Sequence, residues 1–183
     1  MPKPVRNMAA AVVVVICGYF GYQYHDQILD WYYLKDYHPP ARIAELADKA
    51  TMTEDGRRIF YRSKPRMLSD RPSLVKNCQV QGERTIELGC YLSTNQIFLL
   101  QIQQPDLKDE EIVTAAHEAL HAAYDRMSNT ERREINTQLR AAAANITDAS
   151  LGERLATYQR LEPGEEDNEL HSILGTEYPK LSP

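Results

Sequence analysis

The residues best suited to chemistry in this chain are the two histidines and the glutamate of His117-Glu118-Ala119-Leu120-His121. On a helix, residues four apart lie above one another on one face, so both imidazoles can reach a single metal ion. Two His and one carboxylate with a fourth position left open to water make a catalytic zinc arrangement, and zinc brings the pKa of water there toward neutrality. Glu118, one position along the helix, would take the proton of that water as it adds to a peptide carbonyl, then deliver it to the leaving amine. Ala115, Ala116, Ala119, Leu120, Ala122 and Ala123 around the motif are small or apolar. A helix of that composition belongs in a core, where a charged Glu and two His need a purpose. The competing reading is that both His are ordinary satisfied groups.

Such a site needs a third protein ligand. The C-terminal segment offers Glu169 in Asn168-Glu169-Leu170-His171-Ser172, with His171 and Glu177 as alternatives. His171 stands two positions from Glu169 and so on a different helix face.

HExxH followed on a later helix by Asn-Glu resembles the gluzincin metallopeptidases, the thermolysin-like group. Residues 117–125, with Ala122 after the second His and Asp125 four residues after it, are similar to that group's metal-binding helix, and Asn168-Glu169-x-x-Ser172 is similar to its second motif. The resemblance implies a zincin-like fold, one Zn2+ held by His117, His121 and Glu169, and Glu118 as general base acting on a peptide or protein substrate. It covers only the two motif helices, and a bacterial membrane-anchored family is the closer relation expected. The group carries an aspartate directly after the motif's serine, which orients a ligating His through its other nitrogen; here that position is Ile173. Asp125 and Glu177 are the candidates to replace it, since a ligating His usually donates its second N–H to a carboxylate or carbonyl. His171, Tyr178 and Tyr158 are candidates for stabilising the oxyanion of the tetrahedral intermediate, each with ordinary packing as the alternative.

The elements that must position these groups follow from periodicity and punctuation. Residues 41–50 carry Ile43, Ala44, Leu46 and Ala47 at helical spacing. Residues 57–62 read as a strand ended by Pro65, and Pro72 breaks the next stretch. A hairpin is expected between Cys78 and Cys90, with arms at 79–81 and 85–88 around a turn at Gly82. Residues 96–103 read as another strand, either an exposed edge able to pair with an extended peptide or an interior strand. A helix over about 106–127 begins with Asp106, Asp109, Glu110 and Glu111, which suits its dipole. Ser128-Asn129-Thr130-Glu131 has the form of a capping box opening a helix to Ala144. Ser150-Leu151-Gly152-Glu153 repeats that form and opens a third, and 166–177 form a last one stopped by Pro179. Strands followed by helices indicate an α+β class.

A chain of 183 residues supports one compact domain plus an attachment. Its net charge of -5, without any Lys/Arg run, argues against a nucleic-acid partner. Lys3 and Arg6 precede an apolar stretch of about 15–17 residues, at the short edge of what spans a bilayer. The expected organisation is therefore a transmembrane signal anchor at 1–24, a juxtamembrane stalk at 25–40 and a peptidase domain at 41–183. The anchor would be a single-pass helix in the cell membrane, with its N-terminus cytoplasmic by the positive-inside rule and the domain outside; secretion after signal cleavage is the alternative. Cys78 and Cys90 are disulfide candidates in that compartment, with two independent buried thiols as the alternative, and Cys17 packs as a small hydrophobe. The function expected from all this is zinc-dependent hydrolysis of peptide bonds at a membrane. The alternative is a non-catalytic membrane-anchored interaction protein that keeps a structural metal site.

Overall fold

The computed structural model describes residues 3–78, 88–161 and 163–178. The chain divides into two units, Met1–His38 and Pro39–Pro183.

The first unit is helical, with α1 at Lys3–Gln23 and α2 at His25–Leu34. Val12, Val13, Val14, Val15, Tyr19 and Phe20 on α1 are exposed, as are Trp31, Tyr32 and Tyr33 on α2. Among the described residues no helix is long and apolar enough to cross a membrane. This overturns the anchor helix expected at 1–24 and, with it, the single-pass cell-membrane localisation. The physical reason lies in the residues that follow Cys17. Gly18, Tyr19, Gly21, Tyr22 and Gln23 continue α1 but dilute its apolar run, well short of the roughly 20 apolar residues a spanning helix needs.

The second unit is also helical over most of its described length, so the expected α+β order of strands followed by helices is overturned. Its elements are α3 (Ala41–Lys49), α4 (Glu54–Arg62), β1 (Arg66–Leu68), α5 (Arg71–Cys78), β2 (Gly89–Leu92), β3 (Gln96–Leu100), α6 (Glu110–Asp125), α7 (Asn129–Ala143), α8 (Ala149–Leu161) and α9 (Glu166–Glu177). Residues 57–62, expected as a strand, belong to α4. Thr53 caps that helix by accepting from Gly56 N at 3.1 Å. Glu54 and Asp55 in the first turn and Arg62 in the last complement the dipole. Cys78 likewise ends a helix; both expected hairpin arms, apart from Leu88, lie outside the described residues. Cys78 and Cys90 are disulfide-bonded.

The sheet has the order β1-β3-β2, with β1 parallel and β2 antiparallel to β3. β3 is therefore the interior strand, and the alternative of an exposed edge at 96–103 falls. Ile97 and Leu99 on one face of β3 pack with Ala115, Ala119 and Ala122 of α6, and with Ile43, Leu46, Ala47 and Phe60 of α3 and α4. The alanines let α6 approach the sheet closely, which is why that helix carries so few large side chains on its inner face. Glu111 fixes the start of α6. Its buried carboxylate accepts from Ile102 N at 2.6 Å, Arg42 Nε at 3.0 Å and Lys108 Nζ at 3.1 Å.

A second apolar cluster joins Leu139 of α7, Leu151 of α8 and Leu170, Ile173 and Leu174 of α9. The capping box expected at Ser128 is present, with Ser128 Oγ accepting from Glu131 N and Glu131 accepting from Ser128 N at 2.7 Å. At α8 the first turn is instead held by Asp148, which accepts from Ser150 N at 2.9 Å. α9 packs along α6. The approach is tight at Gly175, where a Cβ would lie 2.6 Å from Leu120 Cδ1.

Candidate metal centre

α6 presents His117 and His121 one turn apart, with ring centroids 4.7 Å apart, and α9 brings Glu169 to meet them. Glu169 Oε2 lies 3.7 Å from His117 Nε2, and Glu169 Oε1 lies 3.5 Å from His121 Nε2. One donor atom from each of the three residues falls within 4.8 Å of the others. Glu118, His121 and Glu169 are buried.

The start of α9 is clamped by α7. Tyr124 Oη donates to Asn136 Oδ1 at 3.0 Å, and Asn136 Nδ2 donates to Asp167 Oδ2 at 2.8 Å. Arg140 also donates to both oxygens of Asp167. With Asp167 held in this way, the two residues that follow it are aimed at α6. Asn168 Nδ2 donates to Glu165 Oε2 at 3.0 Å, which turns its carbonyl oxygen to His121 Nδ1, 2.9 Å away. Ser172 Oγ lies 3.2 Å from the same nitrogen. An acceptor at Nδ1 places the proton there and leaves Nε2 with a free lone pair, the form of imidazole that binds metal.

Electrostatics separate the two histidines. Burial works against a charge on His117, but the carboxylates of Glu169 and Glu118 outweigh it and hold its pKa above the ordinary value. For His121 burial prevails, reinforced by His117, and its pKa lies below the ordinary value despite Glu169.

The donor set could hold a metal ion. The two Glu169 oxygens stand 3.7 Å from His117 Nε2 and 3.5 Å from His121 Nε2. Those separations are too long for hydrogen bonds, and Glu169 Oε2 is buried without any hydrogen-bond partner. A buried carboxylate oxygen left bare is costly. A cation held between Glu169 and the imidazoles removes that cost.

Among the remaining sequence-derived candidates, Asp125 accepts from Tyr91 Oη at 2.9 Å and from Arg132 at 3.3 Å. Glu177 is paired with Arg154 at 2.5 Å. The contact to His121 Nδ1, for which Asp125 and Glu177 were the candidates, is made by Asn168 and Ser172. Tyr178 Oη donates to Asp148 at 2.8 Å, and Tyr158 packs against the α7–α9 cluster. His171 has its ring 5.5 Å from that of Tyr124 and its Nδ1 buried without a hydrogen-bond partner. Burial, then His121 and His117, bring its pKa down to about 4, so it is neutral at physiological pH. Asn168 and Ser172 stand in the sequence motif, yet the sequence alone gives them no role; their spacing, four residues apart on one helix face, is the signal that could have done so.

Compared with known proteins, the chain matches no family model, no curated protein and no solved structure.

Proposed function

We propose that this protein is a zinc-dependent peptidase in which His117, His121 and Glu169 hold one zinc ion and Glu118 is the general base. The observation that carries the reading is the convergence of two imidazole nitrogens on a buried carboxylate whose Oε2 has no hydrogen-bond partner. The resemblance of both motifs to the gluzincins supports the same assignment of Glu169. A zinc ion supplies Lewis acidity that polarises a carbonyl and makes water acidic near neutral pH. Glu118, buried one position after His117, accepts the proton of the attacking water and returns it to the leaving amine. Asn168 and Ser172 keep His121 in the tautomer that presents Nε2. With β3 enclosed between its neighbours, β2 is the strand beside α6 that, among the described residues, pairs on one side only. It offers backbone groups to an extended substrate.

The test is metal analysis of the purified protein together with digestion of a peptide library, with and without chelator. One zinc per chain and chelator-sensitive cleavage are expected. Glu118→Gln should keep the metal and lose about 10²–10⁴-fold in kcat. Cleavage by Glu118→Gln at the wild-type rate removes Glu118 from the mechanism. A wild-type protein that holds zinc but cleaves nothing in the library removes the peptidase reading.

A further inference from the structure

We infer that Gly89 is a positioning residue for Glu118, an inference that rests on the role given to Glu118 above. Side chains alternate along a strand. Gly89 and Tyr91 pair with Leu99 and Ile97, on the face of the sheet that packs against α6, whereas Cys90 pairs with Phe98 on the opposite face. β2 is secured from both faces. On one, Cys90 is bonded to Cys78 at the end of α5; on the other, Tyr91 Oη donates to Asp125 near the end of α6. Immediately before these two fastenings, the bare Cα of Gly89 lies directly against the helix.

A Cβ built on Gly89 would come within 2.7 Å of Thr114 Cγ2, 3.0 Å of the Phe98 carbonyl oxygen and 3.1 Å of Glu118 Cγ. These neighbours cannot easily move aside. The Phe98 carbonyl belongs to the interior strand, and Thr114 Oγ1 is tied to the Glu110 carbonyl at 2.7 Å. Glu118 itself is buried. The missing side chain at 89 is therefore what allows β2 to come this close, and the strand backbone becomes the wall that limits where the Glu118 side chain can lie. An added methyl group has to displace Glu118 by a few tenths of an ångström or more. Misplacement of a catalytic group by about 1 Å costs on the order of 10²-fold, so a smaller shift corresponds to roughly tenfold.

The experiment compares wild type, Gly89→Ala, Glu118→Gln and the double variant, each loaded with zinc, after hydrolysis by the wild type has been established. Gly89→Ala should retain full zinc and the wild-type KM while kcat falls about tenfold. Added to Glu118→Gln, it should cost nothing further, because it acts through the carboxylate already lost. A wild-type kcat in Gly89→Ala, or a further loss on top of Glu118→Gln, overturns the inference while leaving the peptidase reading intact. A readout independent of activity is the urea midpoint of the metal-free proteins. Gly89→Ala should lower it less in a Glu118→Ala background, where Cγ is absent, than in wild type; equal losses refute the contact. If Gly89→Ala does not fold, Gly89→Ala combined with Thr114→Ser, which removes the closest overlapping methyl group, carries the same comparisons.

Discussion

Replacing Asn168 with alanine isolates the hydrogen bond that orients His121. Its Oδ1 is 2.9 Å from Nδ1, and no ligand atom is touched by the change. Loss of such a supporting hydrogen bond typically weakens metal affinity 10–100-fold, or about 1.4–2.7 kcal/mol. The structure places Asn168→Ala near the lower end of that range, because Ser172 Oγ remains 3.2 Å from the same nitrogen and can accept in its place. The double variant Asn168→Ala with Ser172→Ala removes both acceptors and belongs near hundredfold. Asn168→Ala also removes the exposed hydrogen bond to Glu165, which contributes little of its own. Zinc affinity is read by competition between the metal-free protein and a chelating indicator at fixed pH, with urea midpoints of the same metal-free samples to show that the fold is retained. If both variants bind zinc as tightly as wild type, the orientation of His121 does not depend on α9, and Asn168 and Ser172 do not set its tautomer.

Glu111→Gln should cost about 2–3 kcal/mol of stability, measured as a urea midpoint, because it removes the charge that accepts from Arg42, Lys108 and the buried Ile102 N–H. Its pH dependence has a defined sign. Burial raises the carboxyl pKa, but Arg42, the Ile102 N–H and Lys108 outweigh it, and the folded value lies below the ordinary one. The stabilisation is therefore fully present above the unfolded carboxylate pKa of about 4.3 and is lost as pH falls through the lower folded value. The gap between wild type and variant should be constant near neutrality and close in acid; a gap that widens on acidification refutes the account.

Several elements were legible because local chemistry and tertiary packing agree there. α7 opens on the Ser128–Glu131 box, and α9 spans the 166–177 expected ahead of Pro179. Residues 57–62 misled because Arg57-Arg58-Ile59-Phe60-Tyr61-Arg62 carries aromatic and β-branched residues in a run too short to separate two periods. The decisive signal stood upstream, in the Thr53 cap and the acidic first turn. Cys78 misled for a different reason. A pairing between two cysteines constrains their distance but not the element each stands on, and here one ends a helix while the other lies on a strand. Strand order was not legible either: residues 96–103 are apolar enough for an interior strand, but only the parallel pairing with β1 encloses β3 on its second side.

The departure at Ile173 has an explanation in the same geometry, and it leads to the last prediction. In the proposed function, the pair four residues apart on α6 would supply metal donors, and the residue after the first of them would supply the base. On α9 a pair four residues apart, Asn168 and Ser172, supports His121, and the residue after the first of them, Glu169, supplies the carboxylate. Ile173 follows Ser172 on the side of the helix that faces Leu139 and Leu151, and it is fully buried there. Restoring the aspartate of the gluzincin pattern by Ile173→Asp would therefore place a charge in an apolar cluster, not beside His121. The expected result is a loss of at least about 3 kcal/mol in urea unfolding of the metal-free protein, with no gain in zinc affinity. A variant that keeps wild-type stability and binds zinc more tightly would mean that α9 turns residue 173 toward the metal, and that the resemblance to the gluzincins extends to the very position where this chain departs from them.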